Sequence, residues 1–161
     1  MPSQVTRLKA AEPIVYEALT AVLPAGKLVV ATAGTTSDAS LQGIVANSTD
    51  GAQNILGYTT KDAVPVSLQA TYFTGTMGYD AGYPFVDASV PSQTVAVERS
   101  GVTVLAYTGA ACNYGDRLAA NATGGVRKYV HGTDNADQIV GWCAQPGGVG
   151  APGNGLVRVN V

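Results

Sequence analysis

"TDGAQNILGY", residues 49–58, returns 84 positions later as "TDNADQIVGW", residues 133–142. Thr, Asp, Ala, Ile and Gly are identical in the two phrases, and Leu56/Val140 and Tyr58/Trp142 exchange like for like. Each copy reads as a turn followed by a strand. Asp50 or Asp134 opens a polar stretch that can cap a short helical turn. Ile55-Leu56 and Ile139-Val140 then enter a core, with Gly57 and Gly141 in mid-strand, where glycine marks a bulge or a close backbone approach. Tyr58 and Trp142 supply a large aromatic, expected to be mostly buried. Every identical position therefore has a structural role, and neither aspartate has an evident catalytic partner.

The repeat extends outward from this phrase. At an offset of 89, Leu8 falls on Val97, Val15 on Val104, Gly26 on Gly115, Val29 on Leu118 and Ala31 on Ala120. The offset then drops to 84, which places five extra residues of the first copy near "GTTSDASLQG", residues 34–43. This divides the chain into an N-terminal arm (1–12), a first β repeat (13–72), an aromatic and Gly-rich insertion (73–91) and a second β repeat (92–161). Two copies are too few for a solenoid.

Short apolar or alternating runs rich in Val, Ile, Thr and Tyr recur at roughly 8–12-residue spacing, as in "GKLVVATA" (26–33), "VPVSLQATYF" (64–73), "GVTVLAYTG" (101–109) and "GLVRVNV" (155–161). Glycines, 20 of 161 residues, punctuate them, and only 12% of the chain is charged. No long segment with helical periodicity is present. The expected fold is all-β, a small barrel or sandwich built from two related halves.

The sequence offers little chemistry. A net charge of −2 and scattered Lys and Arg argue against nucleic-acid binding. The adjacent Arg127 and Lys128 read as a solvated strand face. No apolar run reaches membrane-spanning length, and "MPSQVTRLKAAEP" has no apolar signal core, so synthesis and retention in the cytoplasm are expected. Cys112 and Cys143 read as free thiols and make no metal-ligand set. His131, the sole histidine, falls opposite Asn47 in the repeat and reads as a surface residue. "GVGAPG" (148–153) matches a dinucleotide-binding pattern in letters, but a strand follows it where a helix is required. No catalytic residue, cofactor site or metal site is predicted.

Two segments stand out as contact candidates. In 73–91, Tyr79, Tyr83 and Phe85 lie among glycines, a composition suited either to anchoring an interface or to covering the open end of a barrel. In the arm, Val5, Arg7 and Leu8 form part of an alternating "VTRL" able to add a strand to a neighbour's sheet edge.

The second half, 101–161, resembles the capsid decoration, or cement, proteins of tailed bacteriophages. The residues carrying the likeness are Gly115-Asp116 at a turn, Gly125-Val126 in a hairpin, Ile139-Val140-Gly141 after a polar turn, and the closing "VRVNV". "PAGKLVVATAG" (24–34) and "NILGYTT" (54–60) resemble the same pattern, with Lys27 where the pattern has Asp and two copies where many members have one. The resemblance implies a non-enzymatic virion protein on the outer surface of the head. Its partners would be the major capsid protein and further copies of itself, as a homotrimer, with no nucleic acid or membrane partner. A phage head-fibre or tail receptor-binding protein shares the β-rich composition and the aromatic insertion. Copy number per head separates it from a decoration protein. A small β-barrel hydrolase is the enzymatic reading, separable by substrate assays with His131→Ala as control.

Overall fold

A computed structural model describes residues 14–18, 21–34, 43–65, 67–68, 93–150 and 152–161. Their backbone forms two closed five-stranded barrels. The first contains β1 (Ile14–Glu17), β2 (Leu28–Thr32), β3 (Ile44–Asn47), β4 (Ile55–Thr59) and β5 (Thr94–Glu98); the second contains β6 (Ser100–Thr108), β7 (Arg117–Ala120), β8 (Val126–Lys128), β9 (Ile139–Cys143) and β10 (Gly153–Asn160).

Their pairing is identical. The first closes in the order β1-β3-β2-β4-β5, and the second in the matching order β6-β8-β7-β9-β10. In each, the first and third strands are parallel and the other pairs antiparallel. Even the irregularity recurs: the β2–β4 register shifts between Val29 and Val30, and the β7–β9 register shifts between Leu118 and Ala119. These are the positions that the sequence repeat matches at an offset of 89.

The repeated glycines explain the bulge. A Cβ on Gly57 would collide with the carbonyl of Glu98, and one on Gly141 with the carbonyl of Arg158. Those carbonyls belong to the last strand of each barrel, which closes over the glycine. Side chains alternate in and out along the strands, so Leu105, Tyr107, Val157 and Val159 fill the second interior, and Val29, Val45, Val95 and Val97 fill the first. Cys112 and Cys143 are buried free thiols. Burial pushes the Tyr107 phenol far above its ordinary range.

Several expectations need revision. The strand Thr94–Glu98 closes the first barrel, pairing with β1 and β4, so the change of barrel falls at Arg99 and the second repeat does not begin at 92. The five-residue surplus is a net of two changes. Register aligns Asn47 with Lys128, an offset of 81, so the first copy is eight residues longer between its second and third strands. The second copy regains three residues before β9, where the offset returns to 84. They lie between Lys128 and Thr133, and the repeated phrase that follows holds a 3-10 turn, Ala136–Gln138, entered through Asn135 rather than Asp134. Val140 is buried, but Ile55, Leu56 and Ile139 are only half-buried. The arm 1–12, the insertion 73–91 and most of 64–73 lie outside the described residues, but within that last stretch, expected as a strand, Ser67 and Leu68 are helical.

Candidate docking face

The barrels meet along a seam built from β2, β4 and the turn 48–51 on one side and β6 with the 120–138 region on the other. Leu28 N–H donates to the Gly124 carbonyl (2.6 Å), Gly51 N–H to the Ala120 carbonyl (3.1 Å), and the buried Ser48 hydroxyl to the Asn121 carbonyl (3.2 Å). Leu28 and Tyr58 join the core of the second barrel. The Tyr58 ring hydroxyl lies against Gly101, where no Cβ would fit, and donates to Glu98 Oε2 (2.6 Å). Burial first, and then Glu98, push the Tyr58 phenol up to about 12.

The pair Arg127-Lys128 is not a solvated face. Arg127 donates from Nη1 and Nη2 to both oxygens of Asp134 (2.7 and 2.8 Å), and from Nε to Asp50 (2.7 Å). The two aspartates of the repeated phrase thus share one guanidinium across the seam. Lys128 Nζ donates to Asp116 (2.6 Å), which also accepts the Asn113 N–H and so fixes the turn before β7. Gln138 Nε2 donates to the Gly51 carbonyl (2.6 Å).

Across the first barrel, Glu98, Tyr58 and Leu28 stand side by side on β5, β4 and β2, and the second barrel covers this row. The matching row on β10, β9 and β7 is Arg158, Trp142 and Arg117, continued onto β6 by Val102. No barrel stands over it among the described residues. Tyr58 is 5% exposed, whereas Trp142, expected to be mostly buried, is 37% exposed. The physical reason is that Tyr58 owes its burial to the neighbouring barrel, not to its own. The side chains of Arg117 and Arg158 have no ion-pair or hydrogen-bond partner among the described residues. Val102, Trp142 and Arg158 line an open groove of about 870 Å³ with Tyr114, which is 70% exposed. Tryptophan and arginine are the residue types enriched at protein-binding hot spots.

The structure does not bring the sequence candidates to this face: Val5, Arg7, Leu8, Tyr79, Tyr83 and Phe85 all lie outside the described residues. The register also places Lys128, not His131, opposite Asn47; His131 is exposed in the segment peculiar to the second copy. Among the described residues no three His, Cys, Asp or Glu side chains form a metal-ligand group, and no helix is long and apolar enough to cross a membrane. The Trp142 face was missed because the repeat suggested equal environments for Tyr58 and Trp142. The available signal was the divergence of Leu28 to Arg117 at the offset of 89; the change of Glu98 to Arg158 emerges only from the strand register.

The geometry defines a class, the tandem-barrel β protein with a covalently joined barrel pair. No protein-family model matches the sequence, and no curated protein matches it. Among solved structures, it is similar to the head fiber gp8.5 N base in bacteriophage phi29, with a TM-score of 0.53 and 10% identity, covering 91% of this chain and 92% of that one. At that identity the likeness is one of fold, and it spans both barrels.

Proposed function

We propose that this chain is a structural protein of a phage head, a decoration protein that binds the outer surface of the assembled major capsid lattice and stabilises it. The observation that carries the reading is the architecture shared along almost the whole chain with the phi29 head fiber base. The short motifs resembling cement proteins support the same reading from the sequence side. The mechanism would be mass action: a protein that binds only the assembled shell lowers the free energy of the shell, and repetition over many sites multiplies modest contacts. Its partners would be the major capsid protein and copies of itself as a homotrimer, without nucleic acid, membrane or cofactor, and it would not be an enzyme. The Trp142 face, the arm with Val5, Arg7 and Leu8, and the insertion with Tyr79, Tyr83 and Phe85 are its contact candidates.

The same observation favours a second reading, the base of a head fibre. The test is imaging of virions with and without this chain. Density repeated over the capsid lattice at high copy number supports decoration. Density confined to the feet of projecting fibres supports the fibre base. Absence from the head in every virion rejects both.

A further inference from the structure

We infer that the outer face of β7, β9 and β10, with Trp142 between Arg117 and Arg158, docks an acidic polypeptide segment of a partner protein, whether or not the chain belongs to a phage head.

Strand register defines the row. Arg117 and Arg158 are the direct cross-strand partners of Trp142, one on each side. Direct partners share a face, and all three residues are exposed. With neighbouring strands about 4.8 Å apart, the two arginine positions stand roughly 10 Å apart across the indole. Val102, opposite Arg158 on β6, and Tyr114 extend the apolar surface, and no carboxylate lines the groove.

The two barrels differ here in hydrogen-bonding chemistry. In the row Glu98, Tyr58 and Leu28, the tyrosine hydroxyl donates to the Glu98 carboxylate (2.6 Å), so donor and acceptor satisfy each other. The row Arg117, Trp142 and Arg158 holds donors alone, an indole N–H and two guanidinium groups, and none can accept from another. Neither guanidinium has a hydrogen bond or ion pair among the described residues. A partner that covers this row must therefore bring acceptors.

Charge narrows the choice. An apolar partner would strip water from two cations and return nothing, which is costly. A basic partner, or the same face of a second copy, would set like charges together. Carboxylates on either side of an apolar or aromatic side chain meet every demand. Each guanidinium gains charge-assisted, fork-shaped hydrogen bonds, while Trp142, Tyr114 and Val102 bury apolar surface. A nucleic-acid backbone fits less well, because its affinity grows with the number of phosphates neutralised. The adjacent basic pair, Arg127 and Lys128, is already taken up by Asp50, Asp134 and Asp116. The groove, about 870 Å³, has room for a short segment.

The probe is a random copolymer of glutamate and tyrosine, added to the full chain. Trp142 is the only tryptophan, so its emission, excited beyond the tyrosine absorption, reports the groove directly. Expected are a saturable shift of that emission with the copolymer, its weakening by added salt, and no shift with polylysine. Arg117→Glu and Arg158→Glu should each weaken binding by about tenfold or more, and Arg117→Gln and Arg158→Gln by less. The glutamine variants carry the test if a charge reversal fails to fold. The inference is overturned by the absence of any shift with the copolymer, by binding indifferent to both arginines, or by tighter binding of duplex DNA or phosphatidylserine vesicles. It is equally overturned if Trp142 emission in the free chain is already shielded from acrylamide, since the chain itself or a second copy would then cover the face.

Discussion

Asp50 and Asp134, at matching positions of the two barrels, are held by a single guanidinium, that of Arg127. Asp134 takes two of its N–H groups and is 5% exposed in its side chain, whereas Asp50 takes one and is 62% exposed. The repeated residue has become a largely enclosed ion pair within the second barrel in one copy and a clasp between barrels in the other.

This asymmetry predicts unequal costs. Asp50→Ala removes an exposed pair and should lower stability by about 0.2–1 kcal/mol. Arg127→Ala leaves the Asp134 carboxylate enclosed without its cation, and should cost roughly 3 kcal/mol or more. Urea unfolding of both variants checks the ordering, and a larger loss for Asp50→Ala would show that the clasp carries the stability.

Acid should reveal the same pair. Hydrogen bonds from Arg127 hold the Asp134 carboxyl down at about 2, and Lys128 holds the Asp116 carboxyl below its usual range. Both carboxyls are thus held below the unfolded-chain pKa, about 3.9. The stabilisation is therefore fully present above about pH 4 and lost as the pH falls toward about 2. Asp134→Asn should flatten that part of the stability–pH curve; an unchanged acid limb would rule Asp134 out as its source.

The mid-strand glycines should resist the smallest substitution. Gly57→Ala and Gly141→Ala drive a methyl into the carbonyls of Glu98 and Arg158, so each should destabilise by about 1–3 kcal/mol or more. Gly150→Ala meets nothing within 4 Å and should change the melting temperature little. Equal effects at all three positions would contradict the close approach.

Core truncation should follow burial rather than the repeat. Leu118 is fully enclosed, and Leu118→Ala should cost roughly 2–5 kcal/mol. Ile139 is only half-buried, so Ile139→Ala should cost less. Calorimetry that ranks them the other way would place the load on the β9 entry.

The contact candidates outside the described residues have their own test. Replacing Tyr79, Tyr83 and Phe85 together by Ser should leave a folded protein that decorates heads poorly. An insoluble triple variant would mean that the rings cover a barrel end instead.

Much of the fold was legible in one repeated phrase. Thr-Asp, Ile and Gly at fixed spacing marked turn, strand and bulge, because each depends on local backbone demands that every copy of the barrel must meet. Gly57 and Gly141 were readable as close approaches before the carbonyls of Glu98 and Arg158 were known to cause them. The assignment of Thr94–Glu98 was not readable. A closing strand pairs with partners distant in sequence, and nothing local to residues 94–98 says which barrel they complete.

By itself, then, the sequence determined that two like β units exist and marked Gly57 and Gly141 as points of close backbone approach. Only the tertiary structure decided what each unit's outer surface meets. Burial of Tyr58 and exposure of Trp142 depend on whether a neighbouring barrel stands over them, and Arg127 becomes a clasp only because packing brings Asp50 within 2.7 Å of it, 77 residues away along the chain. Local propensity acts over a few residues, whereas desolvation and ion pairing act through space, so the second set appears only when the barrels are placed side by side.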